Sequence, residues 1–245
     1  MKAIGIIPSR YNSTRFPGKP LFCIAGTSMI QRVFEQAKKT QLLDDVYVAT
    51  DDEKIFNHVK TFTDNVLMTS VHHNNGTERI AEAAEILGVD NQIGIVVNIQ
   101  GDEPFIDPRQ IDQVVKILTN NEKAQIATLK IKAENGEHDN PNKVKIVTSK
   151  EGKALYFSRS TIPFKRDASA LTDYFVHVGI YAFRTQVLKK IVTLNVSSLE
   201  ESEKLEQLRW LENDYDIYVE ETPYMSYGID TPEDVAKYMK MKNMF

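Results

Sequence analysis

Ile93-Gly94-Ile95-Val96-Val97-Asn98-Ile99, running straight into Gln100-Gly101-Asp102-Glu103-Pro104, is the stretch on which the fold turns. A short apolar run closed by turn residues reads as a strand with both faces covered. Such a strand belongs inside a mostly parallel sheet, with amphipathic helices packed on either side. The segments around it agree. Ala3 to Ile7, Val46 to Thr50, Asn65 to Met68, Gln125 to Ile131 and Lys143 to Thr148 are further strand candidates. Between them Met29, Ile30, Val33, Phe34 and Ala37 recur at helical spacing, as do Ile80, Ala83, Ala84 and Leu87.

From about Lys153 the rhythm changes. Ala154 to Ser158 and Tyr174 to Phe183 read as more alternating strands, followed by helices around Ser197 to Asn213. A late strand, Tyr215 to Glu221, precedes a closing helix from about Pro232. No Pro/Ser/Gly linker, internal repeat or low-complexity tract interrupts the chain. The expectation is one α/β domain over residues 1–245, with a strand-rich elaboration at about 154–213.

The 245 residues are 42% hydrophobic and 26% charged, with a formal net charge of -4, the composition of an ordinary globular enzyme. No run of eighteen apolar residues is present to span a membrane. The opening Met1-Lys2-Ala3-Ile4-Gly5-Ile6-Ile7-Pro8-Ser9-Arg10 is too short an apolar run for a signal peptide and reads as a first strand. A single cysteine, Cys23, leaves no internal disulfide framework and fits a reducing compartment, so the cytoplasm is the expected location. The acidic pI near 5.8 argues against broad nucleic-acid binding. It does not argue against anionic substrates, because a local cluster of cations can dominate the field inside a cleft.

Such a cluster follows the first strand: Pro8-Ser9-Arg10-Tyr11-Asn12-Ser13-Thr14-Arg15-Phe16-Pro17-Gly18-Lys19-Pro20. Open α/β sheets bind ligands beyond the carboxyl ends of their strands. Arg10 and Arg15 offer bidentate bonds to phosphate, Lys19 a compact charge, and the backbone around Gly18 an anion nest. The P-loop pattern fails, since Ser13 stands where its first Gly belongs and Pro20 follows Lys19. No G-x-G-x-x-G follows a strand, so a dinucleotide site is unsupported. A triphosphate cradle and a solvated basic loop both remain open on pattern alone.

Gln100-Gly101-Asp102-Glu103-Pro104 puts two carboxylates at the same edge. Asp102 suits Mg²⁺, which takes one or two carboxylates together with waters and substrate phosphate oxygens; it also suits a turn. In Gly228-Ile229-Asp230-Thr231-Pro232-Glu233-Asp234, local evidence favours Asp230 as the N-cap of the closing helix. His177 shares a strand face with Gly179, Tyr181 and Phe183 and reads more readily as packed than as catalytic. His72 and His73 give no zinc pattern, and Ser158-Arg159-Ser160 could hold an anion.

Taken together, these blocks resemble the 3-deoxy-manno-octulosonate (Kdo) cytidylyltransferases. The resemblance runs from Ile7 to Leu21 through Ala49-Thr50-Asp51-Asp52, Asn75-Gly76-Thr77-Glu78-Arg79 and Asn98 to Pro104. It continues at Asn140 to Lys145, Leu155 to Pro163, His177-Val178-Gly179-Ile180-Tyr181, Leu205-Glu206-Gln207-Leu208-Arg209 and Gly228 to Asp234. Ser9 stands where the family usually has Ala and Asn75 where it often has Ser; Lys165 to Asp173 matches poorly.

The resemblance implies a Rossmann-like nucleotidyltransferase sandwich that joins CTP to Kdo, giving CMP-Kdo and pyrophosphate for lipopolysaccharide assembly. It implies that Arg10, Arg15 and Lys19 hold the triphosphate, with Pro8, Ser9 and Thr14 beside them. Thr50, Asp51, Asn75, Gly76, Thr77 and Arg79 are expected to line the cytidine pocket. Asp102 and Asp230 match magnesium ligands, which reverses the local preference for a mere cap at Asp230; with Arg10, Arg15 and Lys19 they form the expected catalytic set. Gln100, Arg159, His177, Tyr181, Glu206 and Gln207 match positions around the sugar acid, Gln100 facing the nucleotide as well. Arg159 is the residue expected to fork onto the sugar's carboxylate, an ion pair on the surface or at a dimer contact being its alternative role. The implied assembly is a homodimer built on the 154–213 region. The competing readings are a cytidylyltransferase for a sialic acid or an amino-substituted Kdo, and a non-catalytic nucleotide-sugar sensor.

Overall fold

The computed structural model describes residues 2–11, 16–88, 93–134, 136–167, 173–225 and 227–241. In chain order the first half comprises β1 (Lys2–Ser9), β2 (Cys23–Ile24), β3 (Thr27–Ser28), α1 (Met29–Ala37), β4 (Asp45–Thr50), α2 (Glu53–Val59), β5 (Val66–Met68), α3 (Gly76–Ile86), β6 (Ile93–Asn98) and α4 (Pro108–Asn120). The second half comprises β7 (Ile126–Lys132), β8 (Lys145–Thr148), β9 (Ala154–Ser158), β10 (Phe175–Arg184), α5 (Thr185–Ile191), α6 (Ser198–Glu203), α7 (Glu206–Glu212), β11 (Ile217–Glu221) and α8 (Pro232–Met241). Each long helix begins where its sequence supplies a cap. Ser28, Asp52, Asn75 and Asp107 each accept a backbone N–H of the turn that follows.

The main sheet runs β11-β7-β10-β6-β1-β4-β5, with β8 paired to β10 and β9 to β8. The pairs β1–β4, β1–β6, β4–β5 and β11–β7 are parallel, while β10 is antiparallel to both its neighbours, β6 and β7. This is the expected mostly parallel α/β sandwich, with one difference. Phe175–Arg184 lies in the interior of the main sheet, so only β8 and β9 project from it. Its alternation looked peripheral because one face carries His177, Gly179 and Tyr181 instead of an unbroken apolar surface.

Two apolar layers cover the sheet. On one face α1, α2 and α4 pack Ile30, Val33, Ile55, Val59, Ile111 and Val114 against Ile7, Val48, Val97 and Ile180. On the other, α3, α5 and α7 pack Ile80, Leu188, Leu208 and Trp210 against Ile6, Val96, Tyr181 and Phe183. A third, smaller cluster of Phe16, Ile24, Met29, Ile229 and Val235 pins the closing helix to the loop after β1. No described helix is long and apolar enough to cross a membrane.

Candidate active site

After β1 the chain moves outward through β4 to β5 and then returns to β6 on the other side of β1, so the strand order reverses between β1 and β6. Ligand crevices of open α/β sheets form at that reversal. Here the two strand ends are drawn together. A Cβ on Gly101 would stand 2.9 Å from the Pro8 carbonyl oxygen, closer than real Cβ contacts allow, so only glycine lets the Gln100–Asp102 turn close on β1. Gly18, at φ +70° against the Tyr11 ring, makes the other tight turn and opens the 3-10 turn Lys19–Leu21.

That turn aims Lys19 at both aspartates. Its Nζ donates to Asp102 Oδ2 at 2.9 Å, to Asp230 Oδ1 at 3.3 Å and to the Ile229 carbonyl at 3.0 Å. The Ile229 N–H in turn donates to the Asp102 carbonyl at 2.8 Å. Three segments far apart in sequence thus meet at one ammonium. Asp230 takes part here and is not the helix cap. Asp234 accepts from the Thr231 N–H at 2.9 Å and the Asp230 N–H at 3.0 Å, while the Thr231 hydroxyl accepts from the Asp234 N–H at 3.3 Å. Thr231 and Asp234 form the reciprocal box, correcting the local assignment of Asp230.

Two carboxylates and a carbonyl within reach of one cation make an all-oxygen donor set that fits a hard divalent ion. Among the described residues no cluster of three or more His, Cys, Asp or Glu suited to a metal occurs. Arg10 is exposed at the same edge, and Ser9 is buried. Thr14 and Arg15 lie outside the described residues.

The expected base pocket is held by hydrogen bonds behind its surface. Arg79, buried, donates to Asp51 Oδ2 at 2.8 Å, the Thr69 hydroxyl at 2.7 Å and the Ser70 carbonyl at 3.3 Å. It therefore ties the end of β4 to the loop before α3. Thr50, fully buried, accepts the Asp52 N–H. Asn75 caps α3 by accepting the Glu78 N–H at 2.8 Å, a task Ser also performs, so this departure from the family keeps the local structure. Gly76 lets the helix approach Pro8, whose Cγ would lie 3.2 Å from an added Cβ.

The residues matched to the sugar acid gather on the β10 face. The His177 and Tyr181 rings are 5.2 Å apart, and Trp210 meets Tyr181 edge-on at 5.1 Å. His177 Nε2 is 2.9 Å from the Thr128 hydroxyl, and burial pushes its pKa down to about 3. Burial thus favours the uncharged imidazole. Glu206 opens α7 and accepts the Thr77 hydroxyl at 2.8 Å. Burial raises its carboxyl to about 7, against the lowering effect of the Thr77 bond and of Arg209. Gln207 is buried beside it on α7. Gln100 Nε2 donates to the Gly179 carbonyl at 3.0 Å, bridging the two halves. A cavity of about 300 Å³ adjoins, lined in part by Glu103, His177, Gly179, Tyr227 and Gly228.

Arg159 follows β9 and is held by backbone carbonyls. Its guanidinium donates to the Glu203 carbonyl at 2.8 Å, the Pro141 carbonyl at 3.1 Å and the Lys204 carbonyl at 3.5 Å. It anchors the chain that leads into Glu206. Residues that sequence alone left unnoticed are Thr128, which orients His177, and Lys145. The Lys145 ammonium is enclosed and donates to the Asn140, Lys143 and Arg159 carbonyls; a lysine in a strand gives no hint of that role.

A sheet reversal flanked by a lysine and two converging carboxylates is an arrangement for handling nucleotide phosphates. The family model described as "Cytidylyltransferase" matches residues 4–221, which sets the class as a nucleotidyltransferase. The 3-deoxy-manno-octulosonate cytidylyltransferase of Bacteroides thetaiotaomicron is 50% identical over 245 residues, covering 96% of each chain. The protein of the same name from Thermodesulfovibrio yellowstonii is 46% identical over the full length of both. The solved structure of CMP:2-keto-3-deoxy-manno-octonic acid synthetase complexed with CTP superposes with a TM-score of 0.94 at 37% identity, covering 100% of this chain and 99% of that one. The chain belongs to the 3-deoxy-manno-octulosonate cytidylyltransferase family.

Proposed function

We propose that this enzyme activates Kdo with CTP, releasing pyrophosphate and CMP-Kdo, in the cytoplasm and for lipopolysaccharide assembly. The observation that carries the reading is the meeting of Lys19, Asp102 and Asp230 at the strand-order reversal. A purely binding module has no need of two carboxylates converging where an anionic triphosphate must sit. In the reaction, the sugar's anomeric hydroxyl attacks the α-phosphorus in line and pyrophosphate departs. Little covalent work falls to the protein; it positions the reactants and neutralises developing charge.

Asp102 and Asp230 would hold Mg²⁺, which when bound supplies Lewis-acid charge neutralisation at the phosphate oxygens. Lys19 exchanges its carboxylate partners for phosphate oxygens as nucleotide enters, with Arg10 and Arg15 completing the cradle. Thr50, Asp51, Asn75, Gly76, Thr77 and Arg79 form or brace the cytidine pocket. Gln100, His177, Tyr181, Glu206 and Gln207 surround the sugar acid, with Arg159 at its carboxylate end. Pyrophosphate release from CTP, compared for Kdo, an amino-substituted Kdo and a sialic acid, tests the proposal; best turnover with another acid, or none with Kdo, overturns it.

The working enzyme is a homodimer joined through β9 and the α5–α7 side. Leu155 on β9 and Val196 before α6 are large apolar residues left exposed there, and a stable assembly would cover about 1,200 Å² or more. Light scattering at micromolar concentration should give twice 27.9 kDa; a monomer alone contradicts it.

A further inference from the structure

The loop between β5 and α3 carries a histidine that neither the nucleotide nor the sugar contacts use. Residues 69–75 leave the edge strand and turn into the helix start, and two glutamates of α3 reach back to hold them. Glu82 Oε2 accepts the Ser70 N–H at 2.8 Å, and Glu78 Oε2 accepts the Asn74 N–H at 2.8 Å. Glu78 Oε1 also accepts the Asn75 side-chain amide at 3.3 Å.

Those carboxylates stand one helical turn apart on the same face, where like charges repel. His73 lies between them, half-buried. Its Nε2 is 2.5 Å from Glu82 Oε2, and its Nδ1 is 3.8 Å from Glu78 Oε2. Burial alone would raise the Glu82 carboxyl, yet the His73 and Ser70 bonds hold it below its ordinary value. A neutral imidazole has one N–H and presents a lone pair to the second carboxylate; only the protonated ring turns an N–H toward each. The second arm of the bridge therefore depends on a proton.

Charged and titratable groups reach this cluster from four elements. On α3 they are Glu78, Glu82 and Arg79, and the loop adds His72, exposed. From the end of β4, Asp51 enters through its ion pair with Arg79 at 2.8 Å. From α7, Glu206 lies within the field of Glu78. Arg79 is committed to Asp51, the Thr69 hydroxyl and the Ser70 carbonyl, so the proton that His73 takes up falls between the two glutamates. The same loop ends at Asn75 and Gly76, and its position sets one wall of the expected base pocket.

We propose that His73 is a positioning residue for the nucleotide: when protonated it ties Glu78 to Glu82 and holds residues 70–75 against α3, so that CTP binds more tightly with the ring charged than with it neutral. This rests on the cytidine-pocket reading above and adds a pH-dependent brace to it. Histidine exchanges its proton with solvent in the range from about pH 5 to 8. The brace is complete at the acid end of that range and weakened at the alkaline end.

The test is equilibrium binding of CTP with Mg²⁺, without Kdo, across pH in the wild type, His73→Gln and His73→Lys. The amide is never charged and the ammonium is charged throughout. His73→Gln should bind CTP about tenfold more weakly than the wild type at about pH 6, the low end of what a charge-assisted hydrogen bond contributes, and within about twofold of it at about pH 8.5. The affinity ratio of His73→Lys to His73→Gln should not change with pH. Ionisation of CTP and of Glu206 is common to all three proteins and cancels in these ratios. The KM for Kdo at saturating CTP should stay within about twofold. If either variant does not fold, Glu82→Gln, which still accepts the Ser70 N–H, takes its place and should show the same deficit at acid pH alone. A CTP deficit of equal size at every pH would make His73 a neutral spacer and overturn the proposal. An unchanged CTP affinity with a lowered melting point would make it a residue of the fold only and overturn it too. Should the wild type prefer another nucleoside triphosphate, the cytidine reading fails, and the same pH comparison made with that triphosphate still decides His73.

Discussion

The two ends of the cleft are built on opposite principles. Where Lys19, Asp102 and Asp230 meet, the groups are formally charged, half open to solvent and carried on turns. Around His177, Tyr181 and Glu206 the polar groups are half-buried or buried, uncharged or with a raised carboxyl pKa, and carried on a strand and a helix start. In the proposed reaction charge would handle the triphosphate, which is itself highly charged and needs strong fields more than close fit. Burial would handle the sugar acid, whose hydroxyls are told apart only where water is excluded. Substitutions should therefore act differently at the two ends: on turnover at the first, on sugar affinity and pH-dependent stability at the second.

The largest effect belongs to the charged end. Asp102→Asn should leave the melting temperature nearly unchanged and cut turnover at least about a hundredfold, or roughly 3 kcal/mol of transition-state stabilisation. Near-normal turnover at saturating Mg²⁺ would remove Asp102 from the metal site. Next comes Arg159→Ala, which should weaken Kdo more than CTP by about 1.5–3 kcal/mol, the worth of a charge-assisted bond. Because Arg159 also braces the Glu203 and Lys204 carbonyls, Michaelis constants must be read beside a melting curve. Equal losses for both substrates would reject carboxylate recognition.

Glu206 sharpens the contrast through pH. Its folded pKa, about 7, lies above the ordinary carboxyl value, so the folded state prefers the protonated form. That stability is complete below about pH 4.5 and is lost as pH rises through 7. Glu206→Gln, which cannot ionise, should match the wild type at pH 4 to 4.5 and melt a few degrees higher at pH 8. A pH-independent difference would contradict the burial argument. The smallest effect is expected from Thr77→Val. Loss of its bond to Glu206 should cost about 1 kcal/mol and move the midpoint of the pH-dependent melting curve upward.

Sequence and structure agree most where chemistry is local. The Ile93 run, the Lys19 loop and the Gly101–Asp102 turn were all legible, because apolar runs and turn residues act over a few positions. Partnerships across the chain were not: nothing near Lys19 announces carboxylates 83 and 211 residues away. The Asp230 cap was misread for the same reason, since Thr231 and Asp234 offer an equally good box and only tertiary packing chooses. Helices α2, α4 and α5 went unassigned between clearer strands, although Asp52 and Asp107 were available as caps.

The small cluster of Phe16, Ile24, Met29, Ile229 and Val235 has a temporal consequence. Asp102 precedes Asp230 by more than half of the fold, and the residues of both large apolar layers, through Val219, are also made before Asp230. A polypeptide stopped at Tyr227 should still fold its sheet and yet be unable to transfer a nucleotide. The meeting of Asp230 with Lys19 is therefore completed only once Ile229 and Val235 seat against Phe16.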